Sequence, residues 1–84
     1  MTIKTHISAG VAVAMNRSDD FNQFILDSIH RHLSGDWGEV SDSDMESNNT
    51  DPLYSLSAYI APDGQKIWIK QDCTILTVLF PEEY

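Results

Sequence analysis

Eighty-four residues carry thirteen acids against five bases, a net charge of −8, and a single cysteine. That describes one small acidic domain without an internal disulfide, since a chain this short hides only about 60–65% of its unfolded surface and builds one modest core. No run approaches the roughly 20 apolar residues that a membrane-crossing helix needs, and the charge balance disfavours direct binding to a nucleic-acid backbone or an anionic membrane, both of which need clustered Lys and Arg.

Hydrophobic residues make up 42% of the chain, an ordinary globular share, so folding is expected rather than disorder. The lone Cys73 fits a reducing compartment, and a cytoplasmic location is expected. "ISAGVAVAM" is too short to span a membrane and lacks the basic start of a signal peptide.

In chain order, residues 2–8 read as a strand with a turn or short helix after it. The Val and Ala alternation at 11–14 suits a strand as well. Ser18 is a good N-cap, Asp19 and Asp20 favour the first turn, and Phe21, Phe24, Ile25, Ile29 and Leu33 recur at helical spacing. Arg31 and His32 sit in the last turn and Gly35 suits a left-handed stop, so the spacing predicts a helix over 19–33. Residues 36–51 then form an acidic loop or a short helix, Ser41 with Asp44 being a weak capping pattern.

Residues 53–81 predict an antiparallel meander. "LYSLSAYIA" alternates, "PDG" turns, "KIWIK" alternates again, "QDC" is a polar break, and "TILTVLF" is apolar on both faces. The expected architecture is α+β: a four-stranded, mostly antiparallel sheet with one main helix on one face and room for a short second helix. The other face, carrying Trp68 between Lys66 and Lys70, is expected to be partly uncovered, which leaves room for a homodimer.

Catalytic residues are not evident. His32, Ser34 and Asp36 lie close together, but a triad needs side-chain tips that meet, normally brought together by the fold. A metal site is more arguable. His32 and Asp36 are four residues apart across a helix end, and Cys73 could join them around zinc. No CxxC or HExxH spacing supports it, and "DSDMESNNTDPL" lacks the glycine and the final acid of a calcium loop. No cofactor is therefore expected, with zinc the one alternative. The competing expectation for His32 is burial beside the apolar stripe, donating to a backbone carbonyl or to Asp36.

Charge distribution is more telling. No Lys or Arg occurs between Arg31 and Lys66, where Asp36, Glu39, Asp42, Asp44, Glu46, Asp51 and Asp63 all fall. A basic partner surface is the natural complement. Trp37, between Gly35 and Gly38, and Trp68 are candidate contact anchors, tryptophan being enriched at interface hot spots. The plainer alternative is that Trp37 folds back to seal the core.

The blocks "RHLSGDWGEV", "LSAY", "KIWI" and "TVLFPEEY" resemble a family of small proteins of bacteria, plasmids and phages, often labelled plasmid-related. Its members share RH-x-x-GDWG, an acidic stretch, LSAY, KIWI and a closing LPEEY, and the resemblance covers residues 21 to 84 in the same order. Where many relatives carry a segment like ITEADRS after KIWI, this chain has the shorter "KQDC". The resemblance implies a mobile-element protein in a bacterial host cell. It also implies a role against host defence, including inhibition of a CRISPR effector nuclease by occupying its basic surfaces. Two functional classes follow: an acidic inhibitor or adaptor acting through Asp36, Trp37, Glu39, Asp42, Asp44, Glu46 and Trp68, or a zinc protein or small metal-dependent enzyme built on His32 and Asp36.

Overall fold

Two serines open the first two helices. In the computed structural model, which describes residues 2–84, the Ser8 hydroxyl accepts from the Val11 amide at 3.2 Å and starts α1, Ala9–Arg17. Ser18 ends that helix and starts the next, accepting from the Phe21 amide at 3.1 Å to begin α2, Asp19–Leu33. Such caps contribute about 1 kcal/mol each by satisfying an otherwise unpaired donor. The helix predicted over 19–33 is α2. The alternating stretch at 11–14 is helical, because the Ser8 cap and the alanines favour a helix and only Val11 of this segment is fully buried. α2 stops where expected: Gly35 takes φ +86, and the Asp36 amide donates back to the Arg31 carbonyl at 2.9 Å.

Four strands, β1 Lys4–Ile7, β2 Leu56–Ile60, β3 Lys66–Asp72 and β4 Ile75–Leu79, form one sheet in the order β1-β4-β3-β2. β2, β3 and β4 are the antiparallel meander, and β1 joins β4 in parallel, with Lys4 opposite Ile75. The fold is α+β with a mostly antiparallel sheet and three helices. "PDG" makes the β2–β3 turn, with Gly64 at φ +92 and its amide on the Ala61 carbonyl. "QDC" is not a break. β3 continues through Asp72, Gln71 turns inward beside Ile67 and Ile69, and Cys73 takes the left-handed position of the hairpin at φ 57.

Val11, Phe21 and Ile25 pack from α1 and α2 onto Tyr59, Ile67, Ile69, Leu76 and Val78 of the sheet. Both helices therefore cover one face, as amphipathic layers must. The segment between helix and sheet becomes a strap followed by α3, Asp42–Thr50. The strap runs along the free edge of β2: the Ala58 amide donates to the Trp37 carbonyl at 3.1 Å, and the Glu39 amide to the Ala58 carbonyl at 2.7 Å. Gly38 makes this approach possible. It has φ +73, and a Cβ there would lie 2.1 Å from the Ala58 carbonyl oxygen. Among the described residues no helix is long and apolar enough to cross a membrane.

Candidate functional site: an acidic strap and helix anchored to a buried polar cluster

α3 has an unusual composition for a packed helix. Ser41 caps it by accepting from the Asp44 amide at 3.1 Å, and Asp42 and Asp44 stand in its first turn, where negative charge is favoured. Only Asn48 is buried, and the one large apolar side chain, Met45, is exposed. Helices polar on every side gain little from burial. Hydrogen bonds hold this one in place. The Asn48 amide nitrogen donates to the Leu56 carbonyl at 2.8 Å, and its oxygen accepts from the Leu56 amide at 3.1 Å. Asn48 thus occupies the edge of β2 as a strand partner would. One residue on, the Asn49 oxygen accepts from the Trp37 indole at 2.8 Å.

Glu39, Asp42, Asp44, Glu46 and Asp51 are exposed, and none has a cationic partner among the described residues. Asp42 and Glu46, four apart, share a face of α3, whereas Asp44 lies about 200° round from Asp42. The negative charge therefore wraps the helix instead of lining one side. Asp36 differs from the others. Arg31 grips it, Nε to Oδ2 at 2.7 Å and Nη2 to Oδ1 at 3.2 Å, while Oδ1 also accepts from the Gly38 amide. The Arg31 hydrogen bond holds the Asp36 carboxyl below its usual pKa. The same guanidinium lies 4.7 Å over the Tyr59 ring, whose hydroxyl donates to the Asp36 carbonyl. Asp36 thus ties the strap to α2 and carries no free charge.

Beneath the strap is His32, only 2% exposed. Its Nε2 lies 2.9 Å from the Gln71 amide oxygen, and its Nδ1 is hydrogen-bonded to the Ser57 hydroxyl. Gln71 donates its amide nitrogen to the Cys73 carbonyl at 2.9 Å, which orients its oxygen toward the ring. His32 Nε2 therefore carries the proton and Nδ1 accepts from Ser57. Burial pushes the His32 pKa down, so the ring is neutral at pH 7. Trp37 meets it edge-on at 5.2 Å between ring centroids.

A serine donating to a neutral histidine is half of a nucleophilic site. Here Ser57 is fully buried, and every buried side-chain nitrogen or oxygen among the described residues has a partner. The pair locks α2 to the sheet, and the Ser57 hydroxyl does not face solvent. His32 and Asp36 do not converge: the histidine turns to Ser57 and Gln71, the aspartate to Arg31. Cys73 is exposed on the β3–β4 hairpin, and no group of three or more His, Cys, Asp or Glu among the described residues is placed to share an ion.

Trp37 is 6% exposed and seals the helix–sheet junction, so it is no free anchor on the acidic surface. Its place beside His32 and Asn49 offers the ring an apolar body and a partner for its N–H. Trp68 stands on the sheet face opposite the helices, half-buried and edge-on to Tyr84 at 5.7 Å. Sequence spacing did not single out Ser57, Gln71, Asn48 or Asn49. Only Gln71 left a trace, since it continues the inward parity of Ile67 and Ile69. Comparison with family models, with curated proteins and with solved structures gives no match.

Proposed function

We propose that the chain is a small acidic binding protein whose strap and α3 dock on a basic protein surface. On the resemblance described above, the partner is a nucleic-acid-handling nuclease of a bacterial defence system, such as a CRISPR effector, and the chain acts as its inhibitor. One observation carries this reading: Glu39, Asp42, Asp44, Glu46 and Asp51 stand exposed without ion-pair partners among the described residues, on or beside α3, a helix whose only buried residue is Asn48. A helix that contributes so little to the core has its charge free for encounter, where opposite fields raise association rates.

The test uses purified effector nuclease and the full chain, measuring affinity and inhibition of cleavage at low and high salt. Binding is expected to weaken steeply with salt, and the D42N/D44N/E46Q variant to lose most of it. Salt-insensitive binding, or undiminished inhibition by that variant, refutes the reading.

A further inference from the structure

The outer face of the sheet, turned away from α1 and α2, has the opposite sign to the rest of the molecule. Strand pairing arranges it in rows: Lys4, Ile75 and Asp72; then His6, Thr77, Lys70 and Leu56; then Leu79, Trp68 and Ala58; then Lys66 and Ile60. All three lysines of the chain are on it, and Asp72 is the one carboxylate the strands add. The lysines are exposed and form no ion pair among the described residues. Apolar surface lies between them, with Ile60 51% and Ile75 40% exposed.

The C-terminal turn Pro81–Glu83 completes the face. The Glu83 carboxylate accepts from the Ser8 hydroxyl at 2.7 Å, the Phe80 amide at 2.8 Å and the Gly10 amide at 3.1 Å, pinning the turn to the start of α1. Tyr84 is thereby held against Trp68, with the Lys70 ammonium 5.5 Å from its ring centroid. The result is a half-buried Trp68 and an exposed Tyr84 set among ammonium groups in a chain whose net charge is −8.

We propose that this face binds an extended acidic peptide segment of a partner protein, in which an apolar side chain is flanked two residues away on each side by carboxylates. Lys66 and Lys70 flank Trp68 on one strand and stand about 13 Å apart. An extended peptide repeats its side chains on the same period, so carboxylates at positions i and i+4 meet the two lysines while residue i+2 meets the exposed parts of Trp68 and Tyr84. Single-stranded nucleic acid fits less well: the net charge repels a long polyanion, and the face has no arginine to grip phosphate bidentately. A second copy of the chain would set lysines against lysines across a two-fold axis.

The proposal uses different residues from the acidic helix and does not rest on the reading of α3. Its test titrates the isotope-labelled full chain with a capped heptapeptide, Ser-Glu-Thr-Leu-Thr-Glu-Ser, with the same peptide carrying Gln for Glu, and with a short oligothymidylate. Amide and indole NMR shifts report the site. Shifts are expected at Lys66, Trp68, Lys70 and Thr77, with affinity reduced about fivefold or more for the Gln peptide and for K66Q/K70Q. Those lysines are exposed, so the variant's melting temperature should equal wild type. D42N/D44N/E46Q should bind the peptide normally, which separates this surface from α3. Absence of shifts at millimolar peptide, equal binding of the Gln peptide, tighter binding of the oligothymidylate, or shifts that follow protein concentration alone each overturn it.

Discussion

Replacing His32 by Phe keeps a ring of similar size and deletes its hydrogen bonds to Ser57 and Gln71, together with the longer contact to the Ser55 hydroxyl. Ser57, fully buried, loses the acceptor for its hydroxyl, and the Gln71 carbonyl, 8% exposed as a residue, loses its donor. Each orphaned buried group costs about 1–3 kcal/mol, while the apolar ring recovers part of that through packing against Trp37, so a net loss of about 2–4 kcal/mol is expected. A domain of this size has about 4–13 kcal/mol in total. Urea unfolding followed by circular dichroism should then show the midpoint fall by roughly 1.3–4 M, given a slope of 1–1.5 kcal/mol per M. Adding Ser57→Ala to the variant should cost less than it does in wild type, because the hydroxyl is already orphaned. Acid dependence provides a second reading. The folded pKa of His32 lies below the ordinary 6.5, burial being the cause, so the unfolded chain binds the proton more readily. Stability from this group is complete above the unfolded value, declines as pH falls through it, and stops declining below the folded value. His32→Phe should lack that component. A variant within about 0.5 kcal/mol of wild type, with an unchanged acid profile, would show that the network does not hold α2 to the sheet.

Gly38→Ala places a Cβ 2.1 Å from the Ala58 carbonyl at a φ of +73, so the strap must leave the β2 edge. The melting temperature should fall by several degrees, and the Glu39 amide should lose its hydrogen-exchange protection. Asn48→Ala removes both bonds to Leu56 and should free α3 locally: amides in 42–50 exchange faster while those of Ile67 and Ile69 keep their rates. Equal loss of protection across the whole chain would mean that α3 and the core unfold as one unit.

Local chemistry made several elements legible. Ser18 with Asp19 and Asp20, the Phe and Ile stripe, and Gly35 all act within a turn or two of chain, so α2 could be bounded from its own residues. "PDG" and the alternation of "KIWIK" similarly marked a turn and a strand, because φ preferences and the two-residue pleat are properties of the backbone. Where the signal was ambiguous, tertiary contacts decided. Hydropathy alone would turn Leu56, Ala58 and Ile60 of β2 inward. The fold instead buries Ser57 and Tyr59 on the core side, because His32, Gln71 and the Asp36 carbonyl take up their polar atoms.

The candidate sites divide along the same line. The cation-free run was visible in the sequence, since charge is a property of composition, and its carboxylates on α3 are exposed. Which acid is free and which is spent required coordinates, as with Asp36 and its Arg31 partner. His32 finds Ser57 and Gln71 at separations of 25 and 39 residues, and Trp37 finds Asn49 twelve residues on. Three lysines share one face only because β1 closes beside β4 and the strands adopt this register. Sequence spacing encodes what neighbours along the chain do to each other. Bringing distant polar groups together depends on which faces the core buries, and the packed sheet and helices alone settle that.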